Sequence, residues 1–338
     1  MGRPDYNYWT YEASNETTAS PYFQTRRFFR RLRVNFYRCH MVRVSCCWLY
    51  AISKYGYPPS LNNMFKALEE ISEMGFRYSE IEALGYENLR EILESKRSLK
   101  EHIESLNLKI INVCPIFHDI ISPDEASRKR ALKAFSETCE LAVYLNSQMV
   151  QTDTFIPPLR FISDAPYKDA INFGKIFKVD VDLAFDWRSF WRLLVNSMRK
   201  CNWIAEEHGL RFCLEPRVGE SVSNTDAMLR LAEAIDSENF GVVLDTGHLH
   251  AQKEILPLSV EKLGRLIVYV HASDNDGRDN YHLGIGKGTI DWLGVLKALK
   301  KHGFNGYIGL DIGHVPNIEK EYVESKSKLE QLIEEVGL

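Results

Sequence analysis

Leu210-Arg-Phe-Cys-Leu-Glu215, Phe240-Gly-Val-Val-Leu-Asp245, Ile267-Val-Tyr-Val-His271 and Tyr307-Ile-Gly-Leu-Asp311 are four short apolar runs, and each ends on a side chain able to ligate a cation or carry a proton. Alternate residues of a strand share a face. Counting back from each polar end, Arg211, Cys213 and Glu215 fall together, as do Gly241, Val243 and Asp245, Ile267, Tyr269 and His271, and Tyr307, Gly309 and Asp311. The other face carries Phe212, Leu214, Val242, Leu244, Val268, Val270, Ile308 and Leu310, an aliphatic surface suited to packing beneath helices. Parallel barrel strands deliver their C-terminal residues to one mouth, so this parity brings one imidazole and three carboxylates toward a common centre.

Outward from these runs, the chain alternates strand-like and helix-like segments. Further strands are expected at Val42–Leu49, Phe76–Glu82, Lys109–Cys114 and Gln148–Thr152, with helices over Leu61–Met74, Arg128–Leu145, Arg188–His208 and Asp226–Ile235. Ser60, and Ser122 or Asp124, are suited to cap helices. Eight such units over residues 41–338 match a (β/α)8 TIM barrel, and the alternation excludes an all-β or helix-bundle fold. An open doubly wound sheet is the alternative. It would scatter the four polar ends along one edge.

The 338 residues carry 42 Lys and Arg against 46 Asp and Glu, a slight net acidity that argues against a dedicated nucleic-acid surface. No apolar stretch is long enough to span a bilayer. Seven cysteines without paired CxxC spacing read as small apolar residues of a reducing compartment, which points to a cytoplasmic protein without structural disulfides. Residues 1–40 differ from the rest. They are rich in Tyr, Thr, Asn and Ser, then turn basic at Arg26, Arg27, Arg30, Arg31 and Arg33, and read as a flexible or peripheral extension. A secretory leader is the weaker reading, because the basic stretch lies far from the amino terminus and the apolar run after it serves as a first strand.

Between Asp153 and Asp186 lies a connection far longer than an ordinary strand-to-helix loop, with Pro157, Pro158 and Pro166 and several aromatics. In a barrel this loop, after the fourth strand, shares the face of the strand ends. A lid over a substrate is its expected role.

Leu214-Glu215-Pro216, Asp245-Thr246-Gly247-His248, His271-Ala272-Ser273-Asp274, the segment Gly284-Ile-Gly-Lys-Gly-Thr-Ile-Asp-Trp292 and Gly309-Leu310-Asp311 resemble the sugar phosphate isomerase/epimerase family, xylose isomerase-like barrels that include ketose 3-epimerases and inosose dehydratases. The resemblance runs from about Val42 to the C-terminus and is specific from Glu215 to Asp311. It implies metal ligands at Glu215, Asp245, His271 and Asp311, and a substrate contact at His248. The family often has Glu where this chain has Asp311, a departure that shortens the carboxylate by one methylene. The family commonly forms dimers or tetramers, which implies a homo-oligomer.

A proton beside a carbonyl is only weakly acidic, and its removal leaves an enediolate whose charge needs a Lewis acid nearby. On this reading Glu215 is the base and Asp311 the candidate partner acid. One divalent ion is expected, Mn2+ before Mg2+ or Co2+, since oxygen-rich ligation with a single imidazole is not a thiolate zinc site. Arg278, Arg217, Lys287 and His282 are candidate contacts for an anionic or polyhydroxylated substrate; Glu82, Trp48 and His118 are further candidates at the mouth. Lys287 also reads as solvated surface charge. The glycines of 284–288 lack the preceding strand and the Lys-Ser/Thr ending of a phosphate loop, so no nucleotide cofactor is expected. The expected activity is isomerisation or epimerisation of a ketose or keto-polyol. A lyase or dehydratase on a keto-sugar, keto-inositol or oxidised C-glycoside shares the same first step. An endonuclease-IV-type phosphodiesterase is less favoured, because the third and fourth strand ends lack histidine and Asn280 stands where that class has Asp. A non-catalytic sugar-binding role is the remaining alternative.

Overall fold

The computed structural model describes residues 42–162 and 177–338; the extension expected over residues 1–40 lies outside them, as does part of the long loop. Eight parallel strands close into a barrel: β1 Arg43–Cys46, β2 Tyr78–Leu84, β3 Lys109–Ile116, β4 Met149–Thr152, β5 Arg211–Leu214, β6 Phe240–Asp245, β7 Ile267–Ala272 and β8 Tyr307–Leu310. Each pairs with its neighbours in chain order, and β1 closes the ring against both β2 and β8. The helices are α1 Leu49–Tyr55, α2 Leu61–Glu73, α3 Gly85–Glu94, α4 Lys96–Ser105, α5 Glu125–Tyr144, α6 Trp187–Glu207, α7 Thr225–Ile235, α8 Thr246–Ala251, α9 Leu256–Leu263, α10 Trp292–Lys301 and α11 Ile318–Val336.

The expected parity holds except at the start of β7, where a register shift between Val242 and Val243 leaves Ile267 in the outer core and turns Val268 against the inner cluster. Cys213, Val243, Tyr269 and Tyr307 join Cys47, Ile111 and Met149 in a small apolar cluster inside the barrel. Phe212, Leu214, Val242, Leu244, Val270, Ile308 and Leu310 belong instead to the larger core between strands and helices. The inner cluster fills the barrel beneath the strand ends, so polar residues beyond it stand on a solid floor.

Several strand boundaries differ from the sequence expectation, and β2 and β3 run on to Leu84 and Ile116, two residues past Glu82 and Cys114. The first strand stops at Cys46 rather than Leu49, because the Trp48 N–H leaves the ladder and donates to the Glu80 carboxylate at 3.1 Å; Leu49 then opens α1. The second begins at Tyr78 rather than Phe76. Gly75 takes a positive φ, and the Phe76 N–H donates to Ile71 O, so Phe76 still closes the C-terminal turn of α2. Ser60 and Asp124 cap α2 and α5, and Ser122 only accepts the Asp124 N–H.

The glycine-rich segment is organised by an anion of the protein itself. The buried Asp274 carboxylate accepts hydrogen bonds from the backbone N–H groups of Asn275, Gly286 and Ile290 and from Trp292 Nε1, at 2.8–3.2 Å. A side chain at Gly288 would collide with that carboxylate and with the Asn275 carbonyl, which is why glycine is needed there. The loop after β4 holds a two-residue antiparallel pair, Arg160–Phe161 with Val179–Asp180. Its first residues are fastened by Glu220, whose carboxylate accepts from Thr154 N, Thr154 Oγ1 and Phe155 N.

Beyond β8, the buried Tyr322 of α11 holds the chain just after Asp311. Its hydroxyl donates to Ile312 O at 2.8 Å and accepts from Ile312 N at 3.2 Å. A Tyr322→Phe substitution leaves both backbone groups buried and unpaired, and should lower unfolding free energy by about 1–3 kcal/mol in urea titration. No change would show that water replaces the hydroxyl.

Candidate active site

Glu215, Asp245, His271 and Asp311 are all buried, at the ends of four successive strands. Asp245 and His271 are register partners across β6 and β7, which brings their side chains together. Ligand atoms of Glu215, Asp245 and His271 lie within 4.8 Å of one another. His271 Nδ1 is 2.9 Å from Glu215 Oε1, and Nε2 is 3.3 Å from Glu80 Oε2. Yet Glu215 Oε1, Asp245 Oδ2 and His271 Nε2 form no aligned hydrogen bond. The other Asp245 oxygen caps α8 by accepting the His248 N–H at 2.6 Å. Buried charged groups this close but poorly aligned for hydrogen bonding are costly, and a hard divalent cation fits such a donor set.

Asp311 is placed differently. Its Oδ2 lies 2.8 Å from His282 Nδ1, which is also 2.8 Å from the Asp311 carbonyl oxygen. It approaches His271 alongside Cys47, and Asp245 alongside His282, in two further groups of candidate ligands. Among the described residues, no single such group contains all four of the expected ligands.

Three polar residues that sequence reasoning did not single out complete the layer. Glu80 on β2 accepts from Asn112 Nδ2 of β3 at 3.0 Å, Asn112 also donates to Gln151 Oε1 of β4 at 2.9 Å, and Gln151 Nε2 reaches Glu215 Oε2 at 3.5 Å. With His271 between Glu80 and Glu215, the chain of contacts returns on itself around the barrel. Their inward alternation was a legible signal. Its consequence was not, because it depends on closure and on a register shift between Ser79 and Glu80.

His248 accepts at Nδ1 from Val218 N at 3.2 Å and from Asn280 Nδ2 at 3.0 Å, leaving Nε2 as the ring donor. The same Asn280 amide lies 3.2 Å from His282 Nε2, so one amide joins two of the expected substrate contacts. Arg217 pairs with Asp153 at 2.8 Å and lies 3.8 Å from Glu215 Oε2 and 3.9 Å from Glu220. Glu82 is half-buried, and Arg278 is exposed. His118 is exposed on a 3-10 turn, its ring against Phe155 at 4.9 Å.

One expected contact falls elsewhere. Lys287 pairs with Glu321 at 2.7 Å and with Glu324 on α11, so it serves the outer surface. Trp48 is fully buried; its backbone N–H donates to Glu80, and its indole Nε1 forms no hydrogen bond among the described residues.

Burial, then the Glu215 charge, pushes the Asp245 carboxyl up to about 7. Burial alone would lower His271, but Cys47, Glu80 and Glu215 around it hold it well above the ordinary imidazole range. Burial would likewise raise Asp311, and the adjacent His282 holds it below the usual carboxylate range.

Asn112→Leu removes the shared donor of Glu80 and Gln151 and should destabilise the fold by roughly 2–4 kcal/mol in urea denaturation, more than a single neutral bond would. A loss under about 0.5 kcal/mol would mean that the ring carries no structural weight.

Residues 68–332 match the family model of the xylose isomerase-like TIM barrel. An uncharacterised protein of Methanocaldococcus jannaschii is 34% identical over 140 residues, which is 40% of this chain and 46% of that protein. The chain is also 22% identical over 247 residues to the D-psicose 3-epimerase of Ruminiclostridium cellulolyticum, covering 72% of this chain and 76% of that enzyme. Among solved structures, a D-tagatose 3-epimerase-like protein superposes with a TM-score of 0.68 at 25% identity, over 87% of this chain and 98% of that one. With a closed eight-stranded parallel barrel and a family match over most of its length, the chain belongs to the xylose isomerase-like TIM barrel family.

Proposed function

We propose that this chain is a divalent-metal-dependent isomerase or epimerase of a ketose or keto-polyol. The observation that carries the reading is the buried trio Glu215, Asp245 and His271, which offers ligand atoms within 4.8 Å of one another and in which Glu215 Oε1, Asp245 Oδ2 and His271 Nε2 form no aligned hydrogen bond. The epimerases among its relatives support the substrate class. These three residues would hold the ion, Mn2+ before Mg2+ or Co2+, with Asp311 beside them. Bound there, the cation supplies Lewis-acid stabilisation of negative charge developing on the substrate oxygens.

Glu215 takes the proton from the carbon next to the carbonyl. Oε1 sits beside the imidazole, while Oε2 is approached by the Gln151 amide at 3.5 Å and by Arg217 at 3.8 Å. Two oxygens in different surroundings let one carboxylate hold charge and accept a proton. The Asp311–His282 couple, three strands around the barrel, is the hydrogen-bonded proton carrier for the return step. His248, presenting an Nε2–H, orients a substrate oxygen. Arg217 fixes Asp153 and Glu220 at the rim, where the loop after β4 begins.

The test is incubation with a panel of ketoses and Mn2+ in D2O. Solvent deuterium should appear at one carbon with an epimer or aldose as product, and Glu215→Gln should slow exchange by roughly 10³-fold while the fold is retained. An unsaturated or cleaved product would reassign the protein as a lyase. Full exchange in the Glu215→Gln variant, or no exchange with any substrate, would overturn the reading.

A further inference from the structure

Outside the barrel, helix α6 presents Ser189, Arg192, Asn196 and Lys200 at helical spacing, with Leu193 and Ser197 between them, toward the first turn of α5. There Arg128 completes a cleft of about 320 Å³ whose lining holds two guanidinium groups, one ammonium, two hydroxyls and one amide, and no carboxylate. The cleft is pre-organised at several points. Arg128 Nη1 donates to Ser122 O at 2.6 Å and Pro123 O at 2.8 Å, Arg192 Nη2 donates to Ser189 Oγ at 2.8 Å, and Ser197 Oγ ties α6 to Ile120 O at 2.7 Å.

In a chain of net charge −4, three neighbouring cations would be expected to recruit acids. Among the described residues, none of Arg128, Arg192 and Lys200 forms a salt bridge. The nearby carboxylates are committed elsewhere: Asp124 caps α5 through Ser127 N, Asp186 caps α6 through Ser189 N, and Glu125 pairs with Lys129. These carboxylates stay within electrostatic reach of the three cations, but none lines the cleft, so an anion that enters it meets the cationic side chains directly.

We propose that the cleft between α5 and α6 is an anion site for a phosphate group. Two guanidinium forks match the oxygens of a tetrahedral dianion, and Lys200 adds a point charge. The cleft exceeds the size of free phosphate and also admits the phosphate end of a small metabolite, so the shared chemistry is the phosphate group and the source is read by experiment. The site is separate from the proposed reaction centre, and it stands or falls independently of it.

The full chain in EDTA is titrated calorimetrically with inorganic phosphate and with ribose 5-phosphate at low salt. Saturable binding is expected, weakened roughly tenfold or more in the Arg192→Gln/Lys200→Gln double variant, whose altered side chains are exposed and leave the core intact. Tighter binding of the sugar phosphate identifies a phosphorylated metabolite as the occupant; equal affinity identifies free phosphate. Arg128→Gln should weaken both ligands as well, with an unchanged circular dichroism spectrum. No heat with either ligand up to about 20 mM, or equal affinity in wild type and double variant, overturns the proposal, the second result locating the anion elsewhere.

Discussion

Strand parity under barrel closure is the constraint on which everything else rests. A strand can turn only every second residue inward, and eight strands closed in one ring leave no freedom to slip by one without turning the whole set outward. Cys213, Val243, Tyr269 and Tyr307 therefore fill the lower barrel, and Glu215, Asp245 and His271 arrive above them. The apolar floor matters as much as the ligands, because it denies water to the buried oxygens and strengthens any charge interaction above it.

What was legible in the sequence follows from backbone periodicity. Four polar residues closing four apolar runs with the same parity point to a barrel mouth before any contact is known, with an open doubly wound sheet as the alternative that closure of the ring removes. Contacts that depend on closure were not legible. Asn112 and Gln151 read as ordinary strand residues until β3 and β4 are set beside β2 and β5, and Glu80 gains its meaning only after the register shift that turns it toward Asn112 and His271. The first expected strand ran on through Trp48 to Leu49 because the competing acceptor, the Glu80 carboxylate, is distant in sequence. Lys287 sits in a glycine-rich run next to the mouth, but the direction of its side chain is set by Glu321 on the last helix.

Charge is distributed in a consistent way across the molecule. Asp274 is surrounded by donors and serves as an internal anchor for the glycine-rich loop, whereas Glu215, Asp245 and His271 keep unpartnered atoms. The contrast between a satisfied buried carboxylate and an unsatisfied cluster a few residues away in the fold separates a structural role from a ligand-holding one. Asp311 lies between the two cases, bound to His282 yet within reach of His271 and Asp245.

The most direct measurement is anomalous diffraction at the manganese edge from crystals grown with Mn2+. A single strong peak about 2.0–2.3 Å from oxygens of Glu215 and Asp245 and from one nitrogen of His271 is the predicted result. Absence of a peak at saturating metal, or a peak held by other residues while these three stay bare, would contradict it.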